Sequence, residues 1–211
     1  MNENPPKYYE LIYRDEFSSY SDPELRAMKF TEDEPHEKHK EIMSEPPVYL
    51  TEEQVTDIVT KSDITLPPPP ENDSLETLSE LFQLYERSNG ISDEHHQKHL
   101  EYNGNNTVGI FVSLLKEWGY DPDEQELKDL YHDAEIVALR IQYKYNRPRP
   151  YQIAKYYELP LTVRTSKDID SPSYPCMEHI QAAIVALRCG QYVTYKQKVK
   201  LVKLTSKFAV A

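Results

Sequence analysis

The feature that most constrains the fold is a helical stripe in the middle of the chain, which runs from Asp121 to a proline-rich stop at Pro148. Asp121 as a cap, Pro122 in the first turn and acidic residues beside it predict the helix start. Pro148 and Pro150 end this helix, because the residue before a proline is disfavoured in helical geometry. Pro150 also suits the first position of a next helix over 151–157. The apolar residues of the stripe recur at helical spacing: Leu127, Leu130, Tyr131, Ala134, Val137, Ala138 and Ile141.

Helical spacing recurs along the chain, and no alternating strand pattern of any length occurs. Thr51 with Gln54 predicts a capping box, and Asp73 with Glu76 predicts the cap of another helix. Further helices are predicted from Ser92 to about Asn103, over 108–118 and from Cys176 or Met177 onward, with a loop over 159–175. We therefore predict an all-α fold, a helical bundle.

Prolines set the first third of the chain apart from the rest. Ten of the sixteen prolines fall in residues 1–72, and they end in the run Pro67 to Pro70. Such a run favours extended linker geometry and removes backbone donors. Hydrophobic residues make up 38% of the chain, below the roughly 45–50% of a compact globular chain. We predict an acidic, proline-rich arm over 1–72, partly disordered, and a helical domain over 73–211.

Charge is divided unevenly along the chain. Residues 1–139 hold 11 Lys and Arg against 32 Asp and Glu, whereas residues 140–211 hold 13 against 4. The net charges are −21 and +9, so an anion-binding site is expected in the last third. The alternative is that the two regions only neutralise each other in the fold. The acidic excess opposes a nucleic-acid partner, despite five lysines between 196 and 207.

Cysteine and histidine usage limits the other kinds of site. Cys176 and Cys189 are too few for a disulfide framework or a zinc cage, which predicts a reducing, cytoplasmic setting. No stretch approaches the ~18 apolar residues of a membrane span, so no membrane partner is expected. His95 and His99 would lie one turn apart on the predicted helix that starts at Ser92. Because no further metal-ligand motif accompanies them, we predict a solvated helix face and no metal.

Two segments in the basic region carry the strongest functional signal. Residues 142–151 read Gln-Tyr-Lys-Tyr-Asn-Arg-Pro-Arg-Pro-Tyr, and residues 171–182 read Ser-Pro-Ser-Tyr-Pro-Cys-Met-Glu-His-Ile-Gln-Ala. A guanidinium can bind two oxyanion oxygens at once, and the amides at a helix start favour an anion. Arg149 and the helix after it therefore predict a phosphate site. The alternative is a surface pair, Arg147 and Arg149, held in a turn by prolines.

Together the two segments resemble the first two motifs of the type 2 phosphatidic acid phosphatase / vanadium haloperoxidase superfamily. Those motifs run Lys, six residues, Arg-Pro, and later Pro-Ser-Gly-His. The resemblance is to soluble, phage-type acid phosphatases and covers residues 121–191 closely. It implies a helical bundle of the acid phosphatase type, in which Arg149 binds phosphate and phosphomonoesters are hydrolysed through a phosphohistidine.

The same resemblance implies the cofactor, the partner and the location. No cofactor is required, and vanadate can occupy the site as a phosphate analogue. The expected partner is a phosphorylated small molecule. The expected location is the cytoplasm, which for a phage-encoded chain means the host cytoplasm or the virion.

The first motif departs from the family pattern at its lysine. The lysine position relative to Arg149 holds Gln142, which offers a neutral hydrogen bond about half as strong as a charged one. Counted from Arg147, the lysine position holds Arg140. Lys144 is near in sequence but would lie about 200° around the helix from Gln142. The predicted phosphate-binding residues are Arg149, Gln142, Arg147 and Lys144, with Cys176 and Met177 from the second motif.

The second motif is also altered. Aligned without a gap, it has Cys176 for Ser, Met177 for Gly and Glu178 for His; with one extra residue, the histidine is His179. In the family, the Ser and Gly donate to phosphate, and the His is the acid for the leaving group. A thiol is a weak donor, and a side chain on Met177 crowds the approach.

Glu178 and His179 are the two candidates for the catalytic acid. His179 can act near neutral pH, whereas Glu178 can do so only if burial raises its pKa. The alternative is an ordinary helix start with a solvated Glu-His pair.

The third motif of the family, an Arg followed by the nucleophilic His and an orienting Asp, has no counterpart in this sequence. No histidine follows an arginine at the required spacing. We therefore expect a C-terminally incomplete domain, either a fragment or a natural truncation, without phosphomonoesterase turnover. The rival hypothesis is a non-catalytic interaction protein on a degenerate phosphatase scaffold, with a protein partner for the N-terminal arm.

Overall fold

A computed structural model describes residues 22–90, 106–161, 170–206 and 208. All the regular elements in these ranges are α-helices, which confirms the all-α prediction. Within the same ranges, no helix is long and apolar enough to cross a membrane. The predicted helix from Ser92 to about Asn103 lies outside the described residues. The helices are α1 Pro23–Ala27, α2 Glu37–Ser44, α3 Glu52–Thr65, α4 Leu75–Gly90, α5 Thr107–Glu117, α6 Glu124–Tyr145, α7 Pro150–Tyr156, α8 Met177–Cys189 and α9 Tyr195–Thr205.

Local caps fix several helix starts. The predicted capping box of α3 is present: Thr51 Oγ1 accepts from the Gln54 N–H at 3.2 Å, and Gln54 Oε1 accepts from the Thr51 N–H at 2.8 Å. The cap of α6 is Asp123, whose side chain accepts from the Glu126 N–H at 3.1 Å. The prediction of Asp121 as this cap was therefore wrong.

The predicted cap of α4 was wrong as well. Ser74 Oγ accepts from the Thr77 N–H at 3.2 Å, so Ser74 is the cap. The carboxylate of Asp73 is used elsewhere: it accepts from the Asp22 N–H at 2.9 Å and pairs with Arg26 at 3.0 Å. Asp73 thereby holds α1 against the start of α4.

Helix α6 is the central element of the described structure. It packs along α8 and also contacts α2, α3 and α5. Its N-terminal half contributes Leu127 to an apolar cluster that also contains Phe111 of α5 and residues of α8 and α9. Its C-terminal half packs against Val55 of α3. Another cluster joins α1, α4 and α7. Residues 22–72 thus contribute three helices that pack against the rest, and Leu25 and Val55 are fully buried.

The end of α6 sets the position of the motif residues that follow. Asn146 adopts left-handed geometry (φ 48°, ψ 37°) as the C-cap of α6. Its Nδ2 donates to Thr31 O at 2.7 Å, and its backbone O accepts from the Phe30 N–H at 3.0 Å. Arg149 then forms the N-cap of α7, and Pro150 is the first residue of that helix, as predicted.

Candidate oxyanion-binding site

Arg149 connects the first sequence motif to the second. Its Nε donates to Ser171 O at 2.7 Å, and its Nη2 donates to Ser171 Oγ at 3.1 Å. Ser171 is buried and lies in the loop that leads into α8. The guanidinium therefore holds the segment that ends at the N-terminus of α8.

Further hydrogen bonds hold the same loop. Ser173 donates from its N–H to Arg147 O at 3.0 Å and from its Oγ to Pro148 O at 2.8 Å. Gln142 Nε2 donates to Pro175 O at 2.7 Å. The loop is thus bonded to α6 and to the turn between α6 and α7, which brings Gln142 and Arg149 to the same segment.

Gln142, at the family lysine position, already bonds to the protein itself. Its side chain is only 2% exposed. Because a carbonyl oxygen only accepts, the bond to Pro175 fixes which end of the amide is nitrogen. The other end, Oε1, has no hydrogen-bond partner among the described residues. At this position the unpartnered atom is therefore an acceptor, whereas phosphate requires donors.

Cys176 and Met177 stand at the start of α8, as the N-cap and the first helical residue. Cys176 Sγ lies 3.4 Å from Glu178 Oε2 and donates to it. Burial raises the pKa of the Cys176 thiol to about 12, and the charge of Glu178 acts in the same direction. The thiol is therefore a neutral donor near pH 7. Met177 is half-buried.

His179 lies in the first turn of α8, one residue after Glu178. Its Nδ1 is buried and makes no hydrogen bond to the described part of the chain. Buried polar atoms are ordinarily paired, so this nitrogen has an unmet capacity for a hydrogen bond. Of the two candidate acids, Glu178 is the one engaged by the Cys176 thiol.

Lys144, a predicted phosphate ligand, points to α3 instead. Its Nζ lies 2.8 Å from a carboxylate oxygen of Asp63 and donates to Val59 O at 2.9 Å. These partners lie near the C-terminal end of α3. Lys144 is therefore not brought to Ser171.

Arg147 and Arg140 are likewise engaged elsewhere. Arg147 Nη2 donates to Thr77 Oγ1 at 3.2 Å, on α4, and burial lowers the pKa of this arginine. Arg140 pairs with Glu52 at the start of α3. The Arg147 side chain is therefore turned away from Arg149. In the alternative alignment, Arg140 takes the lysine position and Arg147 the arginine position, and neither side chain lies at the loop before α8.

A histidine and a tyrosine beside the site were not predicted from the sequence. His39 Nδ1 and Tyr143 Oη are 2.8 Å apart, and the Tyr143 hydroxyl donates to Asp170 O at 3.3 Å. Burial raises the pKa of Tyr143, while the charge of Arg149 acts in the opposite direction. Since Asp170 precedes Ser171, the His39–Tyr143 pair reaches the loop held by Arg149.

The described residues offer no group of three or more His, Cys, Asp or Glu side chains that could hold a metal ion. The pair that raised the metal question, His95 and His99, lies outside those residues. Comparisons with protein-family models, curated proteins and solved structures gave no match for this chain. Membership of the phosphatase superfamily therefore stays a prediction, based on the two motifs.

Proposed function

We propose that this chain is a phosphatase-type helical domain that binds phosphate or a similar oxyanion beside Arg149 without hydrolysing phosphomonoesters. The observation that carries the proposal is the pair of bonds from Arg149 to Ser171, which holds a guanidinium against the loop before α8. A guanidinium is a strong oxyanion ligand, and the free amides and dipole of a helix start attract the same charge.

Two observations favour binding without turnover. The Cys176 thiol, with its pKa raised to about 12, is protonated near pH 7 and is therefore a poor nucleophile. The family reaction needs a histidine nucleophile, and no histidine in this sequence has the spacing of the third motif. His179, whose Nδ1 has no hydrogen-bond partner among the described residues, is the better candidate for a residue that binds or protonates a ligand oxygen.

Calorimetric titration with orthovanadate and with phosphate tests the proposal. We expect saturable binding to the wild-type chain, loss of binding in Arg149→Ala, and weaker binding in Arg149→Lys, which keeps the charge but loses the planar fork. Arg147→Ala is the matched control, because Arg147 contacts α4, and it should bind like the wild type. Circular dichroism checks that each variant is folded.

Two results would contradict the proposal. Absence of binding at millimolar anion, or binding that survives Arg149→Ala, would remove the oxyanion site. Hydrolysis of para-nitrophenyl phosphate that disappears in Arg149→Ala would show that the domain is an active enzyme after all.

The second candidate is a non-catalytic interaction protein on a degenerate phosphatase scaffold. The inward contacts of the other motif residues favour it: Lys144 binds α3, Arg147 binds α4, and Gln142 binds Pro175. In this role the former site only holds helices together, and the first third of the chain binds a protein partner. Orthovanadate separates the two candidates, because the scaffold role predicts no binding.

The proposed setting of either function is the cytoplasm, or the virion if the chain is phage-encoded. The two thiols, Cys176 and Cys189, are both free, which fits a reducing compartment. A phosphorylated small molecule is the proposed ligand of the first candidate.

A further inference from the structure

The outer face of α9 carries an apolar seam that the rest of the described chain does not cover. A capping box of Thr194 and Gln197 starts this helix, and Leu201 and Thr205 face the core. On the opposite side, Tyr195 is 81% exposed, Val199 37% and Val202 61%. These three positions are separated by four and three residues, so they form one line along the helix.

That spacing is the one that a and d positions have in a coiled coil, kept here over the 11 residues of α9. In heptad notation, Tyr195 and Val202 occupy d positions and Val199 occupies an a position. Lys196 and Lys203 then occupy e positions, and Lys198 occupies a g position. The positions that flank the seam, and that choose the partner helix in a coiled coil, are therefore lysines.

These lysines have no acidic partner within the chain as described. Lys196, Lys198 and Lys203 are exposed, and none forms an ion pair with a described residue. No Asp or Glu occurs anywhere after Glu178 in the sequence. A partner with Asp or Glu beside its apolar residues would therefore complement this surface, whereas the three ammonium groups would repel a basic partner.

We propose that α9 docks an amphipathic helix of a partner protein, with apolar residues along its seam and Glu or Asp at its flanking positions. The apolar line through Val199 and Val202 favours such a helix over duplex DNA or RNA, which would contact the lysines alone. This docking surface does not depend on phosphate binding at Arg149, so the two proposals can fail separately.

A synthetic three-heptad peptide with Leu at a and d and Glu at e and g is the probe. Its glutamates repel each other across a homodimer, which keeps the free peptide available. The full chain contains one tryptophan, Trp118, and Lys200 Nζ lies 5.9 Å from the centre of its ring. Because the peptide lacks tryptophan, binding can be followed by Trp118 fluorescence and checked by calorimetry.

We expect saturable binding to the wild-type chain. In Lys196→Glu/Lys203→Glu the affinity should fall about tenfold or more, because two attractions between lysine and the peptide glutamates become repulsions. A peptide with Lys at e and g should bind this double variant better than the wild type. The matched control is Lys38→Glu/Lys155→Glu, which makes the same charge change on α2 and α7 and should bind like the wild type.

Several outcomes would overturn the proposal. They are absence of binding to the glutamate peptide, equal binding by both double variants, and no recovery with the lysine peptide. The proposal would also be overturned if these lysines bound phosphatidylserine vesicles or duplex DNA while the chain did not bind the peptide.

Discussion

At the scale of single residues, both thiols of this chain are held in their protonated form. Burial raises the pKa of Cys176 to about 12 and that of Cys189 to about 11, from 9.0 for a free thiol. Since the folded pKa is above the unfolded one, each thiol favours the folded state below about pH 9. That contribution is lost as the pH rises through 11 to 12.

We predict that neither thiol reacts within minutes with Ellman's reagent at pH 8, whereas both react at once in urea-unfolded protein. Only the thiolate attacks the reagent, and almost none is present in the fold at that pH. The urea midpoint should fall between pH 9 and pH 11, and Cys176→Ala should reduce this fall. Cys189→Ala leaves Cys176 as the single thiol, and rapid labelling of this variant at pH 8 would contradict the prediction.

At the scale of helices, one buried carboxylate of α6 positions the start of α3. Asp133 is 2% exposed and accepts from three successive backbone N–H groups: Val48 at 2.7 Å, Tyr49 at 2.8 Å and Leu50 at 3.0 Å. The next residue, Thr51, is the cap of α3. The turn that starts α3 is therefore fixed from a helix more than 80 residues later in the chain.

We predict that Asp133→Ala lowers the free energy of unfolding by about 3 kcal/mol, because a charged acceptor of three hydrogen bonds is removed from a buried site. Urea titration followed by circular dichroism measures this change. Asp129→Ala, on the same helix, removes a carboxylate whose hydrogen-bond partner in the described structure is Gln125, and it should change stability by about 0.5 kcal/mol or less. A loss below about 1 kcal/mol in Asp133→Ala would show that the turn is held by other contacts.

The helices were predictable where local signals decide them. Thr51 with Gln54, and Pro150 after a helix end, act within a few residues, so sequence alone predicts the starts of α3 and α7. The cap of α4 was mispredicted because Asp73 bonds to Arg26, 47 residues earlier. Long-range pairing of this kind leaves no local pattern.

The same limit applies to the candidate site. Sequence reasoning selected Arg149 from its motif, but it gave no means of finding Ser171 as the acceptor, since 22 residues separate the two in the chain. His39 was missed for the same reason, because 104 residues separate it from Tyr143. The amide of Gln142 was predicted to donate to phosphate, and only the packing of α6 against the loop revealed Pro175 as its acceptor.

At the scale of the molecule, α6 takes part in two apolar clusters that are otherwise built from different helices. One contains α5, α8 and α9, with Phe111 fully buried and stacked on Phe208 at 6.0 Å between ring centroids. The other contains α3, with Val55 fully buried beside Ile136 and Ile141. Damage to one cluster should therefore reach the other mainly through α6.

We predict that Phe111→Ala costs about 4 kcal/mol and raises amide hydrogen exchange throughout α5, α8 and α9. Val55→Ala should cost about 2 kcal/mol and raise exchange in α3, with little change in α8. Hydrogen exchange read by mass spectrometry gives both patterns in one experiment. Uniform loss of protection in both variants would show instead that the whole structure unfolds as one cooperative unit.

The left-handed Asn146 has a consequence for engineering this chain. Glycine is the usual replacement at such a backbone geometry, because it adopts positive φ without steric cost. Here the side-chain amide of Asn146 also bonds both the N–H and the C=O of Thr31. Glycine would therefore relieve the backbone at the end of α6 but would release the segment around Thr31. The contact with Thr31 therefore decides which substitutions position 146 tolerates. A stabilising substitution chosen from the backbone angles alone would fail there.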